Sequence, residues 1–199
     1  MDEQIIFTDF VTSIDIDVQL SYLKLETRLM QQEHEVASKS NIGGYQSPDF
    51  GYLSPHKCEY HTFNELKDKC IASAQEYISN KYHKMISGKM FSWWCNVNAI
   101  GHFNQIHNHL RTDLVGVFYI KVPENSGKLI LIRNDGSQYT DMTQQENEYH
   151  ISPVAGKLYL FPGHIWHYVE PNPINDDRIS VSFNMYTTHS ESMLNKLPQ

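Results

Sequence analysis

The sequence predicts a mainly β fold of the sandwich or jelly-roll kind, with helices in its first half. Three observations lead there. Before Gly88, apolar residues recur at helical spacing. After Met90 the chain breaks into short runs rich in β-branched and aromatic residues. Turn-forming stretches such as "PENSG", "NDG", "FPG" and "NPINDD" separate those runs, and many short strands divided by turns build layered all-β folds.

The elements follow in order. A short apolar start at Ile5–Phe7 precedes a helix that Asp15 or Asp17 can cap and that runs to about Ala37. Val18, Tyr22, Leu25 and Leu29 fall on one face of it, which is the expected buried face. "SKSNIGGYQSPDFGYLSPH" reads as a loop of turns, with positive φ expected at the Gly43–Gly44 pair. Thr62 and Glu65 match a capping box. The helix behind them should bury Phe63, Leu66, Cys70 and Tyr77 and end near Gly88. Strands are expected at Met90–Ile100, Leu114–Lys121, Lys128–Arg133, Gly156–Phe161, Ile165–Val169 and Arg178–Thr187. The tail from Ser190 reads as loosely held.

Composition limits the function. The 199 residues suit one domain, and the net charge of −7 with no Lys/Arg block speaks against a nucleic-acid backbone as partner. "MDEQIIFTDF" is no secretory signal and no stretch approaches a membrane span. Cys58, Cys70 and Cys95 show no CxxC spacing, which reads as free thiols in a reducing cytoplasm.

Histidine is the outlier, with eleven residues. In "HNHLRTDLVGVFYIK", His107 and His109 are one residue apart before an apolar run. On a strand they would share a face. His167 lies in a second strand-like run, "KLYLFPGHIWHYV", beside His164. Arg178 and Ser180 would share a face of "RISVSFN". Imidazoles bind iron, zinc, copper or nickel, and three of them leave coordination positions open. An arginine nearby offers a forked donor for a carboxylate. That combination suits an oxygenase with a dicarboxylic cosubstrate. Taken singly, each feature reads as a polar strand end or surface.

The stretches "SNIGGYQS", "WCNVNAIGHFNQIHNH", "VGVFYI", "GKLYLFPGHIWHYVEP" and "RISVSFN" together resemble a bacterial and phage family of 2-oxoglutarate- and Fe(II)-dependent oxygenases, from about Ile5 to Tyr186. The resemblance implies a double-stranded β-helix (a cupin-like jelly roll). A helical half, about 15–88, would pack on a barrel of about 90–187 within one domain, 1–199. It implies Fe(II) on His107, His109 and His167, and 2-oxoglutarate on Arg178 and Ser180. Asn96 and Tyr119 would be further cosubstrate contacts, and O2 would hydroxylate an unidentified substrate. The wider superfamily carries Asp or Glu where this chain has His109. Asp113 is the alternative ligand, with His109 behind it. Two other functions stay open: a cupin-like module binding a metal or small acid without turnover, and a structural protein that kept the fold. The Arg178–Ser180 pair favours the oxygenase, since a bare metal module needs no carboxylate clamp. Substrate contacts are expected from the barrel rim and the loop after Ser38, where Tyr45, Phe50 and Tyr52 would be exposed aromatics. The substrate, small or macromolecular, and the oligomeric state are not readable.

Overall fold

The computed structural model describes residues 9–37, 39–132 and 147–194. The expected start at Ile5–Phe7, the "NDG" turn and the strand end at Arg133 lie outside them. Two antiparallel sheets face each other. The larger has the order β1 (Thr12–Asp15), β9 (Lys157–Pro162), β6 (Leu114–Lys121), β11 (Arg178–Thr187), β4 (Ile86–Asn98) and β3 (Tyr45–Gln46). The smaller runs β2 (Asn41–Ile42), β5 (Phe103–His107), β10 (Trp166–Val169), β7 (Leu129–Ile132) and β8 (Glu148–Ile151). This is the double-stranded β-helix, with α1 (Leu20–Glu33) and α2 (His61–Tyr82) on the outer side of the larger sheet and α3 (Thr188–Leu194) at the end of β11.

Alternation along β4 and β11 divides the molecule into two cores. Trp93, Cys95, Val97, Val181, Phe183 and Met185 face the helices and pack with Leu23, Met30, Phe63, Leu66 and Cys70. The intervening residues face into the barrel, where Val115, Val117, Tyr119, Leu129, Leu131 and Phe161 form a second cluster. Phe183 fits because its partner across the sheet is Gly116; a Cβ there would come within 2.1 Å of the Phe183 ring.

The helical half departs from several expectations. α1 starts at Leu20 with no side-chain cap; Asp15 is in β1 and pairs with Lys157, and the Asp17 carbonyl accepts from Lys69. Its buried face is Leu23, Thr27 and Met30, while Tyr22, Leu25 and Leu29 point outward. Both rows are at helical spacing; the buried one hides a threonine, whose hydroxyl is satisfied by the Leu23 carbonyl at 2.8 Å. The Thr62–Glu65 capping box does not form, and α2 has no cap from its own segment. Glu26 of α1 supplies it instead, accepting the Thr62 and Phe63 N–H groups at 2.9 Å each, while Glu65 pairs with Lys69. α2 ends at Tyr82, ahead of Gly88, with His83 at φ +52°. Tyr77 is half-buried, and Ala74 and Ile78 complete the inner face.

The predicted loop after Ser38 holds two short strands. β2 pairs with β5 of one sheet and β3 with β4 of the other, so the Gly43–Gly44 pair carries the chain across the barrel. Gly43 takes φ +79°; Gly44 instead needs its small size, since a Cβ would lie 2.5 Å from the Val97 carbonyl oxygen. Past Gln46 the loop lies along β4. Asp49 accepts the Gly51 and Trp93 N–H groups, and the Trp93 indole donates to the Phe50 carbonyl. Tyr45 and Phe50 are therefore buried, and of the three aromatics expected at a surface Tyr52 alone is exposed. Of the expected loose tail, residues 190–194 belong to α3, which Glu191 ties to Lys89 of β4 at 2.8 Å, and the remainder lies outside the described residues.

Candidate active site

His107 and His167 are far apart in sequence but directly opposite in register, His107 closing β5 and His167 in β10. His109 reaches them differently from the sequence expectation. β5 ends at His107 and β6 begins at Leu114, so the two histidines do not share a strand. His109 sits in the intervening turn, which is tied to the β9–β10 turn by its own N–H donating to the Gly163 carbonyl at 2.9 Å. The turns touch so closely that a Cβ on Gly163 would lie 2.1 Å from the Thr112 carbonyl oxygen.

The three rings converge, each offering one nitrogen, with those nitrogens within 4.8 Å of one another. His109 and His167 lie parallel with centroids 5.2 Å apart, and His109 stacks on Trp94. Contacts behind the rings set which nitrogen faces the centre. The Nδ1 of His107 lies 2.7 Å from the Gln105 carbonyl and that of His167 lies 2.9 Å from the Ile165 carbonyl. As N–H donors there, both leave Nε2 free to coordinate, the usual support of a metal-binding histidine. His109 has Asn184 of β11 for neighbour. Burial, then the neighbouring His107, pushes the pKa of His167 down to about 3 and that of His109 to about 4; burial also lowers His107. All three are neutral near pH 7, as coordination of a metal would require.

The barrel interior continues from this cluster to Arg178. Arg178, Ser180 and Ser182 line one face of β11, opposite Asn98, Asn96 and Trp94 of β4, with Tyr119 and Val117 of β6 on the other side. Arg178 is buried, donating to the carbonyls of Ser126 and Glu170. Among the described residues no carboxylate lies within ion-pair distance of it. Burial lowers its pKa, and Tyr119 and Glu170 oppose that shift. Tyr119, edge-on to Tyr159 at 5.8 Å, has its phenol pushed up to about 12 by burial. Asn96 donates to the Ser182 hydroxyl and accepts from Asn41, both at 3.3 Å.

His107, His109, His167, Arg178, Ser180, Tyr119 and Asn96 all line one narrow cavity of about 30 Å³. Asp113 is not among the clustered groups; its Oδ2 accepts the Thr187 N–H at 2.6 Å and ties β6 to β11. His164 is turned outward to Asp9. The loop after Ser38 reaches the cavity through Ser40. Sequence reasoning missed Trp94, Asn104 and Ser182 on the wall. Extending the period-two count from Asn96 and from Ser180 finds Trp94 and Ser182.

Residues 92–184, just under half of the chain, match the family model described as "Putative 2OG-Fe(II) oxygenase". By this match, residues 92–184 are similar to the 2OG-Fe(II) oxygenase family. The matched span carries every site residue named above for the cavity except Ser40. No curated protein sequence matches the chain. Solved structures are similar in fold. A prolyl-4-hydroxylase of Pseudomonas putida is 17% identical, with 89% of this chain and 92% of that one covered and a TM-score of 0.58. A prolyl hydroxylase of Trichoplax adhaerens, in complex with a hypoxia inducible factor peptide fragment, is 14% identical, with 92% and 86% covered and a TM-score of 0.64. HygX of Streptomyces hygroscopicus, with nickel and 2-oxoglutarate bound, is 10% identical, with 89% and 83% covered and a TM-score of 0.60. The cofactors of a 2OG-Fe(II) oxygenase fit what lies in this cavity: three imidazoles suit Fe(II), and a buried guanidinium facing no carboxylate suits a dicarboxylate. No helix of the described residues is long and apolar enough to cross a membrane.

Proposed function

We propose that the chain is a 2-oxoglutarate-dependent hydroxylase, working as one domain in a reducing cytoplasm. His107, His109 and His167 hold Fe(II). Arg178 and Ser180 hold the far carboxylate of 2-oxoglutarate, with Tyr119 and Asn96 beside them. The observation that carries this reading is the single cavity joining the three imidazoles to the buried Arg178. The free thiols Cys58, Cys70 and Cys95 suit the compartment.

With 2-oxoglutarate and O2, bound Fe(II) supplies an oxidative decarboxylation to succinate and CO2 coupled to insertion of oxygen into a C–H bond of the substrate. The protein's part is charge and orientation. Three neutral ligands leave the two positive charges of the metal uncompensated, where an Asp or Glu ligand would remove one. An anionic cosubstrate is then bound by charge at both ends, at the metal and at Arg178. Ser180 adds a hydroxyl donor at the Arg178 end. Trp94 stacks on His109 and Phe161 meets His167 edge-on, which fixes the orientation of those two rings.

The test is an anaerobic titration of the Fe(II) protein with 2-oxoglutarate, followed by the visible charge-transfer band that a 2-oxo acid gives on chelating Fe(II). A saturable band, and succinate formation once O2 is admitted, are expected. Iron binding without a band at millimolar 2-oxoglutarate would leave a metal-binding module in place of the hydroxylase.

A further inference from the structure

Beside the cavity lies an open recess of about 330 Å³ whose wall includes His107, His109 and Trp94, so a molecule seated there would touch the proposed metal site. Its polar lining is unusual. Gln46, Gln105, Asn108 and Asn184 all contribute to it, and among the described residues Lys39 is its one cation and no carboxylate lines it. Gln46 is the informative member. It is 1% exposed, its side chain makes no hydrogen bond among the described residues, and its Oε1 is sealed from water without a partner. Its backbone is fully engaged, paired with Asn96 across β3 and β4 and accepting the Ala37 N–H at 2.8 Å. The strand therefore holds a buried carboxamide against the recess with nothing to bond. An unpaired buried acceptor is costly to leave without a partner, and the terminal torsion of a glutamine is broad enough to turn the group toward an occupant.

We infer that this recess is the substrate subsite and that it selects a neutral amide group through Gln46. The inference rests on the oxygenase reading for its place beside the metal. The chemistry of the lining decides the class. A carboxamide offers two donors and one acceptor oxygen, so its best complement is a planar neutral group carrying both N–H and C=O. Ammonium and guanidinium groups face Lys39, the metal charge and no anion. A base within a nucleic acid also has donors and acceptors, but the phosphodiester backbone would meet a protein of net charge −7. An amide, of a peptide or of a small molecule, remains. Trp94 offers it a flat apolar wall, with the Lys39 ammonium 5.6 Å from the ring centroid.

The experiment uses zinc-substituted protein with 2-oxoglutarate, zinc standing in for iron because it is diamagnetic. The probes are N-acetylglycinamide, its amide-free ester analogue methyl acetoxyacetate, a blocked alanine hexapeptide, ethylguanidinium and adenosine. The readout is the side-chain NH2 resonances of Gln46. N-acetylglycinamide should shift them saturably and at least tenfold more tightly than the ester, while ethylguanidinium and adenosine should leave them unmoved. Tighter binding of the hexapeptide than of N-acetylglycinamide would assign the amide to a peptide; equal binding would assign it to a small molecule. Gln46→Leu should weaken the amide probe at least tenfold and melt no lower than wild type, because it replaces an unpaired polar group by an apolar one of similar size. A structural glutamine would give the opposite, a lower melting point. Equal binding of ester and amide, preferential binding of ethylguanidinium or adenosine, or Gln46→Leu binding the amide as wild type would each overturn the inference. Titration of the same variant and wild type with 2-oxoglutarate separates the two readings, since failure of 2-oxoglutarate to bind wild type sinks the oxygenase and failure of the amide alone sinks the subsite.

Discussion

Replacing Arg178 by Met keeps the aliphatic stem and removes the guanidinium. Arg178 is 2% exposed, so the charge it presents to a carboxylate is poorly screened by water. Two of its N–H groups are already spent on the Ser126 and Glu170 carbonyls, which leaves up to three of its five for a ligand. Truncating one partner of a desolvated, hydrogen-bonded charge pair costs about 2–5 kcal/mol. The middle of that range, about 3.5 kcal/mol, corresponds to roughly a few hundredfold weaker 2-oxoglutarate binding. The melting temperature should move little, because two carbonyls lose a donor while a desolvated charge disappears. Iron content should not change, since Arg178 is outside the imidazole cluster. Arg178→Lys should recover part of the loss; an ammonium supplies charge without the planar fork. The assay is the anaerobic charge-transfer titration, run beside elemental analysis for iron. If Arg178→Met binds 2-oxoglutarate as wild type does, the carboxylate anchor lies elsewhere and the reasoning from burial fails.

Four further outcomes are expected. His107→Ala and His167→Ala should each lower iron affinity at least about tenfold by removing a ligand, whereas His164→Ala, at an exposed contact with Asp9, should leave iron content unchanged; equal damage from all three would overturn the ligand assignment. His109→Ala should lose iron and Asp113→Asn should keep it, and the reverse pattern by elemental analysis would restore a carboxylate ligand. The metal-free protein should lose stability as pH falls below about 6.5 toward the depressed values near 4 and 3 of His109 and His167, because the unfolded chain takes up protons that the folded rings refuse; thermal melts of His167→Phe should show a shallower acid limb, and an unchanged limb would remove the buried rings as its cause. Glu26→Ala should cost about 1–2 kcal/mol by uncapping α2, or about 2–8 °C in melting temperature for a chain of this size, while a change within error would mean the cap is replaced by water.

What was legible in the sequence was the part written in two-residue alternation. β6 and β11 keep their predicted bounds, and the inward positions of β11 include the arginine and serine singled out beforehand. Six of the seven site residues reach one cavity for the same reason: inward strand positions of a closed barrel have nowhere else to point. What was illegible depended on distant partners. The capping carboxylate of α2 comes from α1, which a local Thr-x-x-Glu pattern cannot reveal. The face of α1 was misread because two apolar rows compete on one helix, and the satisfied hydroxyl of Thr27 lets the more polar row go inside. β2 and β3 are two residues each and exist because longer strands lie beside them. His109 illustrates both sides: its chemistry was readable, but its place in a turn is set by contact with Gly163.

Each of β4's alternate side chains answers to a different neighbour. Trp93, Cys95 and Val97 belong to the helical core, and Trp94 and Asn96 look into the cavity. The two sets share one backbone, so the helices and the cavity cannot be retuned independently. A bulkier residue at Cys95, far from any imidazole, pushes on a strand whose other face carries Trp94 and Asn96. Selection for stability in the helical layer therefore acts on catalytic geometry through the thickness of a single strand, and screens for altered specificity would find useful positions among residues that never meet a substrate.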